Sequence, residues 1–370
     1  MTRPRRRDFE VLLDEARVLV CCGSGGVGKT TTAAALATEV ARTGRRVVVI
    51  TIDPAKRLAD ALGMTGRLGN DPVRLDLPDD HRGELWAMML DAKQTFDGLV
   101  RREARSQRQV DEILGNPFYV NIASRLSGSQ EYMAAEKLFE LHGDERFDLV
   151  VVDTPPSREA LDFLDAPKKL TNFLDHRVYR WLVTPARGGL KVLNFAAQPI
   201  LRTIGRVIGA DVLADAIEFF RAFEGIEDGF RRRAYDVDRL LRSADTRYVV
   251  IASPRSDTVD EALYFTEQLG RAGVVTSGLV INRLQPTFGR GSAKSATANA
   301  KRAEKDGEQL LASLHHNLAR LRAVAEAEEE SIAPLLTALD GVPVARVPQR
   351  PVDVHDITAI ADIGRSILGS

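Results

Sequence analysis

Residues Cys21 to Ala34 read CCGSGGVGKTTTAA, and four of them stand at a spacing with one dominant chemical use. Gly23, Gly28, Lys29 and Thr30 fit the pattern G-x-x-x-x-G-K-S/T, in which a glycine-rich turn wraps a phosphate chain between a strand and a helix. Gly23, Gly25, Gly26 and Gly28 permit backbone conformations closed to other residues. The N–H groups of Gly23 through Gly28, Ser24 and Val27 included, can then curl around the phosphates. The helix that follows points its N-terminus at the same anion. Lys29 is placed to reach the β- and γ-phosphates, and the Thr30 hydroxyl to ligate Mg²⁺, with Thr31 set for the α-phosphate. The chemistry implied is binding of a nucleoside triphosphate with Mg²⁺.

Two carboxylates and an amide stand where that chemistry needs them. RVVVIT (Arg46–Thr51) is an apolar run followed by Ile52-Asp53-Pro54-Ala55. A carboxylate beyond the carboxyl end of a parallel strand lies where ligands bind. Asp53 can orient an attacking water or hold a Mg²⁺-bound one; it can equally cap a helix over Ala55–Leu62. LVVVD (Leu149–Asp153), followed by TPPS, fits the Walker B pattern, with Asp153 binding Mg²⁺ directly or through water. Asn282 ends GLVIN, and its carboxamide suits the N6/N7 edge of adenine, or alternatively a strand-end turn. No guanine-reading NKxD pattern is present, since Asn282 is followed by Arg-Leu-Gln.

The elements that must position these residues recur along the chain. Strand signals appear at Arg46–Thr51, Glu84–Leu90, Phe147–Asp153, Thr246–Ala252, Val274–Asn282 and Val342–Pro348. Most are continuous apolar runs, as parallel strands covered on both faces require. Helical patterns at Lys29–Thr43, Val259–Arg271 and Ile357–Ile367 separate them. The alternation predicts an α/β fold with a doubly wound, mostly parallel sheet. Two stretches of helical composition interrupt it, at about 91–141 and 165–243, and together they predict an inserted helical subdomain within a single nucleotide-binding domain spanning 1–370. In the second, Ile200, Leu201, Ile204, Val207, Ile208, Val212, Leu213, Ile217, Phe219 and Phe220 recur at helical spacing. Gln285–Gly307, rich in Gly, Ser, Ala and Lys, reads as a mobile basic loop. Glu308–Glu330 reads as an amphipathic helix that Pro334 ends or kinks.

Composition narrows the class. The 370 residues carry a formal charge of −1, so no global field recruits nucleic acid. No apolar run is long enough to span a membrane, no secretory core follows the basic N-terminus, and the only cysteines are the adjacent Cys21 and Cys22. A cytoplasmic protein is expected.

GSGGVGKTTTAAALA, TIDPAKRLADALG, LVVVDTPPS and VINRLQP, in this order, resemble the arsenite-pump ATPase family, which includes the ATPases that target tail-anchored membrane proteins. The resemblance covers most of the chain and implies a Mg²⁺-dependent ATPase that works as a dimer, each subunit's first loop lysine reaching the partner's phosphates. It also places Val347 and Pro348, in VPQRPVDVHD, near the adenine pocket. The departures are specific. Ser24 stands where the family's second-residue lysine gives GKGGVGKT, and Arg158 and Glu159 follow the TPPS segment. A loop of this kind resembles an actinobacterial branch in which a paralogous subunit carries the lysine, which implies a heterodimer in place of a homodimer. An alternative is a nucleotide-gated carrier of hydrophobic or membrane-protein cargo with little hydrolysis of its own, suggested by the missing charge and the apolar stretch Phe195–Phe230.

Overall fold

Strands built from uninterrupted Val, Ile and Leu must be covered on both faces, and a computed structural model shows how this chain does it. It describes residues 7–53, 57–64, 66, 68–78, 81–122, 129–176, 210–351 and 353–369. Eight strands form one sheet: β1 (Val18–Gly23), β2 (Arg46–Thr51), β3 (Val73–Arg74), β4 (Glu84–Met89), β5 (Leu149–Asp153), β6 (Thr246–Ala252), β7 (Thr276–Leu284) and β8 (Val344–Pro348). Their order is β3-β4-β2-β5-β1-β6-β7-β8. All neighbours are parallel except β3, a two-residue edge strand antiparallel to β4 that the sequence does not announce. The chain leaves β1 toward β2 on one side and later returns to β6 on the other. The loop after β1 therefore lies at the switch point of the sheet.

The described helices are α1 (Arg7–Glu15), α2 (Lys29–Arg42), α3 (Arg57–Ala61), α4 (Ala92–Glu103), α5 (Gln107–Leu114), α6 (Pro117–Ile122), α7 (Ser129–His142), α8 (Ser157–Asp175), α9 (Ala210–Ala222), α10 (Glu227–Leu241), α11 (Ser256–Arg271), α12 (Ala293–Lys305), α13 (Gln309–Ala338) and α14 (Ile357–Leu368). None is long and apolar enough to cross a membrane.

Two units separate by internal packing. The first comprises 1–89, 144–161 and 244–370 and holds the sheet. In it α2 is buried nearly all round, which its alanines permit: Ala33, Ala34, Ala35 and Ala37 have no exposure. A Cβ on Gly364 of α14 would lie 2.8 Å from the Ala35 carbonyl oxygen, so this glycine lets α14 approach α2 closely. The second unit comprises 90–143 and 162–243 and is helical among its described residues. Its core is aromatic, with Tyr119, Phe219, Phe223 and Phe230 buried and Phe96 packed against them. Of the apolar positions that suggested helices here, Ile200, Leu201, Ile204, Val207 and Ile208 lie outside the described residues, while Val212 through Phe220 lie on α9.

The structure corrects several expectations. The stretch 285–307 is not a loop throughout, since α12 occupies most of it. Ser292 and Ser295 cap α12 reciprocally, and Ala296, Ala300 and Ala303 form its buried stripe. A stripe of alanines carries no strong hydrophobic signature against a glycine- and serine-rich background. The flanking turn is also fixed, because Arg322 Nη2 donates to the carbonyls of Phe288 (3.0 Å) and Arg290 (2.9 Å). Pro334 does not end α13, which runs on to Ala338. The first half of α13 buries Ala312 and Ala319 and leaves Leu310 and Leu314 exposed. The stretch before Val18, which no sequence pattern marks as an element, forms α1 and buries Phe9, Leu12 and Leu13. Phe9 and Leu12 sit over β7 at Gly278, where a Cβ would meet them at 3.2 and 3.3 Å.

Candidate functional site

β1 ends at Gly23, and α2 begins at Lys29. Between them the chain turns with Gly26 at φ 78° and Gly28 at φ 90°, left-handed conformations that favour glycine. Gly23 is required for a different reason: a Cβ there would lie 2.2 Å from the Ile251 carbonyl oxygen of β6. Gly28 is the N-cap of α2 and has no side chain to offer its first N–H groups. A helix N-terminus left open in this way favours an anion.

Register then brings the second half of the site to the loop. In the sheet Cys21 and Thr51 both pair with Asp153. Asp153 is buried, and its Oδ2 accepts from the hydroxyls of Thr30 (2.7 Å) and Thr51 (3.0 Å). Its Oδ1 is buried with no hydrogen-bond partner. Burial raises the Asp153 carboxyl to about 6, against the pull of the two hydroxyls and of Lys29. Lys29 is itself buried; burial lowers its ammonium pKa, and Asp153 counters most directly. Lys29 Nζ donates 2.8 Å back to the Ser24 carbonyl oxygen. A cation and an anion are thus held in a dry setting, with one carboxylate oxygen lacking a partner, which is the arrangement that a charged phosphate with a hard cation would satisfy.

The other expected residues fall around this centre. Ser24 is buried, and its hydroxyl has no partner. Asp53 is half-buried, with Oδ2 3.4 Å from Arg57 Nη1 of α3. Pro54 and Ala55 lie outside the described residues, so the expected Asp-Pro cap does too; the helix described here is Arg57–Ala61. Asn282 Nδ2 donates 2.8 Å to the Val27 carbonyl oxygen, so the amide touches the loop itself. Val347 is buried in the core beneath the sheet, and Pro348 pairs with Leu284 across β7 and β8. Arg158 and Glu159 lie in the first turn of α8, with their side chains outside the described part. Cys21 and Cys22 are buried free thiols, and burial pushes Cys22 up to about 12, which keeps it unreactive.

Two residues inside the quoted motifs make contacts in the site that the motifs do not assign. Thr51 ends β2, and only its pairing with Asp153 gives it a partner there. Thr154 donates its hydroxyl to the Cys21 carbonyl oxygen at 2.8 Å, fixing the chain where it leaves β5. The signal available for both was position, a hydroxyl at or just beyond a strand's carboxyl end.

A parallel sheet with a glycine loop and lysine at its switch point, and a strand-end aspartate beside the loop's threonine, defines the class of P-loop nucleotide-binding proteins. Within that class, the model of the anion-transporting ATPase family matches residues 16–317, and the chain belongs to that family. An uncharacterized protein of Streptomyces coelicolor is 30% identical over 271 residues, covering 73% of this chain and 63% of that one. A putative arsenical pump-driving ATPase of Aquifex aeolicus is 24% identical over 291 residues, covering 73% and 64%. The ATPase get3 of Schizosaccharomyces pombe is 25% identical over 263 residues, covering 71% of each. The chain spans less than two thirds of the length of the first two.

Proposed function

We propose that this chain binds ATP with Mg²⁺ and hydrolyses it, using the cycle to open and close a dimer. The observation that carries this reading is the Thr30–Asp153 contact at 2.7 Å, with the second Asp153 oxygen buried and unsatisfied beside Lys29. That orphaned oxygen and the adjacent hydroxyl are the donor set that a hard divalent cation takes. Mg²⁺, when bound with the nucleotide, would neutralise charge on the phosphate oxygens. Thr30 and Asp153 would hold it, with Asp53 one step out.

The chain's own residues do the rest. The N–H groups of Gly23, Ser24, Gly25, Gly26, Val27 and Gly28, with the first turn of α2 through Thr31, cradle the phosphates. Lys29 leaves the Ser24 carbonyl and takes the β- and γ-phosphate oxygens, where its charge counters the negative charge spread in phosphoryl transfer. Asp53 orients the attacking water. Asn282 and Pro348 would border the base, with the Val347 side chain turned into the core beside them. The helical unit would meet hydrophobic or membrane-protein cargo.

Ser24 supports an asymmetric pair. It carries no charge and is buried, so it has nothing to lend across a dimer, while its own loop remains intact. A paralogous subunit with GKGGVGKT would supply the missing cation, and self-pairing would not. The test is MgATP turnover by the purified chain, alone and with such a paralogue, beside Lys29→Ala. Turnover that Lys29→Ala abolishes is expected. Binding of MgATP without any turnover sensitive to Lys29 would leave the carrier reading in its place.

A further inference from the structure

β7 and β8 pair in register through Ile281 and Arg346, and pairing resumes at Leu284 and Pro348. Between these points β7 carries one residue more than β8, so Asn282 and Arg283 form a bulge. Arg283 has φ 61°, the one non-glycine residue with positive φ among the described residues. Bulges at a sheet's edge re-aim a side chain at the cost of local strain. Here the side chain re-aimed is Asn282. Its Oδ1 accepts from the Arg283 N–H at 2.9 Å, and its Nδ2 donates to the Val27 carbonyl oxygen at 2.8 Å. A Cβ on Gly28 would lie 2.4 Å from that Nδ2, so the glycine also makes room for the amide.

We infer that Asn282 is a positioning residue that sets the phosphate loop before nucleotide arrives, and that it contributes to phosphate affinity through this contact. The reason lies in the peptide plane. The Val27–Gly28 peptide is planar and trans, so its C=O and the Gly28 N–H point in opposite directions. Holding the Val27 oxygen toward β7 turns the Gly28 N–H away from β7 and leaves it free of that strand for a phosphate. The bulge fixes the amide's own orientation through Arg283, so the loop meets a strut that is already set. Preorganisation of this kind lowers the ordering cost of binding. The inference rests on the proposed phosphate site and adds the residue that shapes it.

The test measures affinity for Mg-tripolyphosphate, MgATP and MgGTP in the wild type, Asn282→Ala and Asn282→Asp. Losing one hydrogen bond to the loop predicts that Asn282→Ala weakens tripolyphosphate, which has no base, by ~5- to 30-fold, and ATP by at least as much. Asn282→Asp should lose more, because its carboxylate would face the Val27 carbonyl. Arg283→Val keeps the amide but puts a β-branched residue at φ 61°, and it should weaken tripolyphosphate in the same direction. Unchanged tripolyphosphate binding with a collapsed ATP-to-GTP ratio would overturn the inference and make Asn282 a base reader. Wild-type protein that bound neither ATP nor tripolyphosphate would overturn the phosphate site itself.

Discussion

Asp153 ends β5 with its carboxyl buried and one oxygen unsatisfied, and burial lifts that carboxyl to about 6. An acid whose pKa rises on folding holds its proton more tightly in the native state than in the unfolded chain. The nucleotide-free protein therefore loses stability as pH climbs from the ordinary carboxylate range through about 6, and the full cost stands above that. A rise of roughly two pKa units amounts to on the order of 3 kcal/mol. Asp153→Asn should stabilise the free protein by up to that amount at pH 7.5 and by roughly half of it at pH 5, while abolishing MgATP turnover. Urea denaturation at the two pH values checks it; an equal gain at both would rule out burial as the cause. Lys29, Thr30 and Asp153 could be read from the chain because each sits in a motif of a few residues. Thr51 could not, since its place beside Asp153 exists only through strand register.

At the scale of elements, the helical unit ties three helices to one buried carboxylate. Glu136 of α7 is buried and accepts from Arg233 Nε of α10 at 2.8 Å and from Arg102 Nη1 of α4 at 3.4 Å. Burial raises its carboxyl, and the two arginines pull the other way. Arg233 also lies over the Phe139 ring, 4.4 Å from its centroid. Arg233→Ala would leave the carboxylate with the weaker partner alone, which predicts a loss of about 3 kcal/mol. Adding Glu136→Leu should return most of that loss, because the uncompensated charge goes with it. A double-mutant cycle by chemical denaturation reads both, and a double variant no better than Arg233→Ala would refute the account. α12 marks the limit of pattern reading at this scale. Its capping box uses Ser295 where the sequence signature has Glu or Gln, and its apolar stripe is alanine, too small to show against a glycine- and serine-rich background.

For the whole molecule the prediction concerns company. If a second subunit supplies the charge that Ser24 lacks, adding a homologue with GKGGVGKT should raise turnover by ~10³-fold, the scale at which a cation lent in trans acts on phosphoryl transfer. The same homologue with that lysine changed to alanine should not. Native mass spectrometry of the mixture should show one copy of each; failure of both the rate and the heteromer would leave a self-paired or solitary chain.

The order of apolar strands and helices, the phosphate loop and the strand-end aspartates follow from the sequence alone, because each depends on neighbours within one element. Helical composition marks 91–141 and 165–243 in the sequence for the same reason. Which residues face one another across the sheet depended on tertiary structure. Strand order put Asp153 between β1 and β2, register set Thr51 against it, and a one-residue bulge turned Asn282 onto the loop. Contacts across so long a separation are fixed by how strands align and how tightly glycines let them approach, and no local pattern records that.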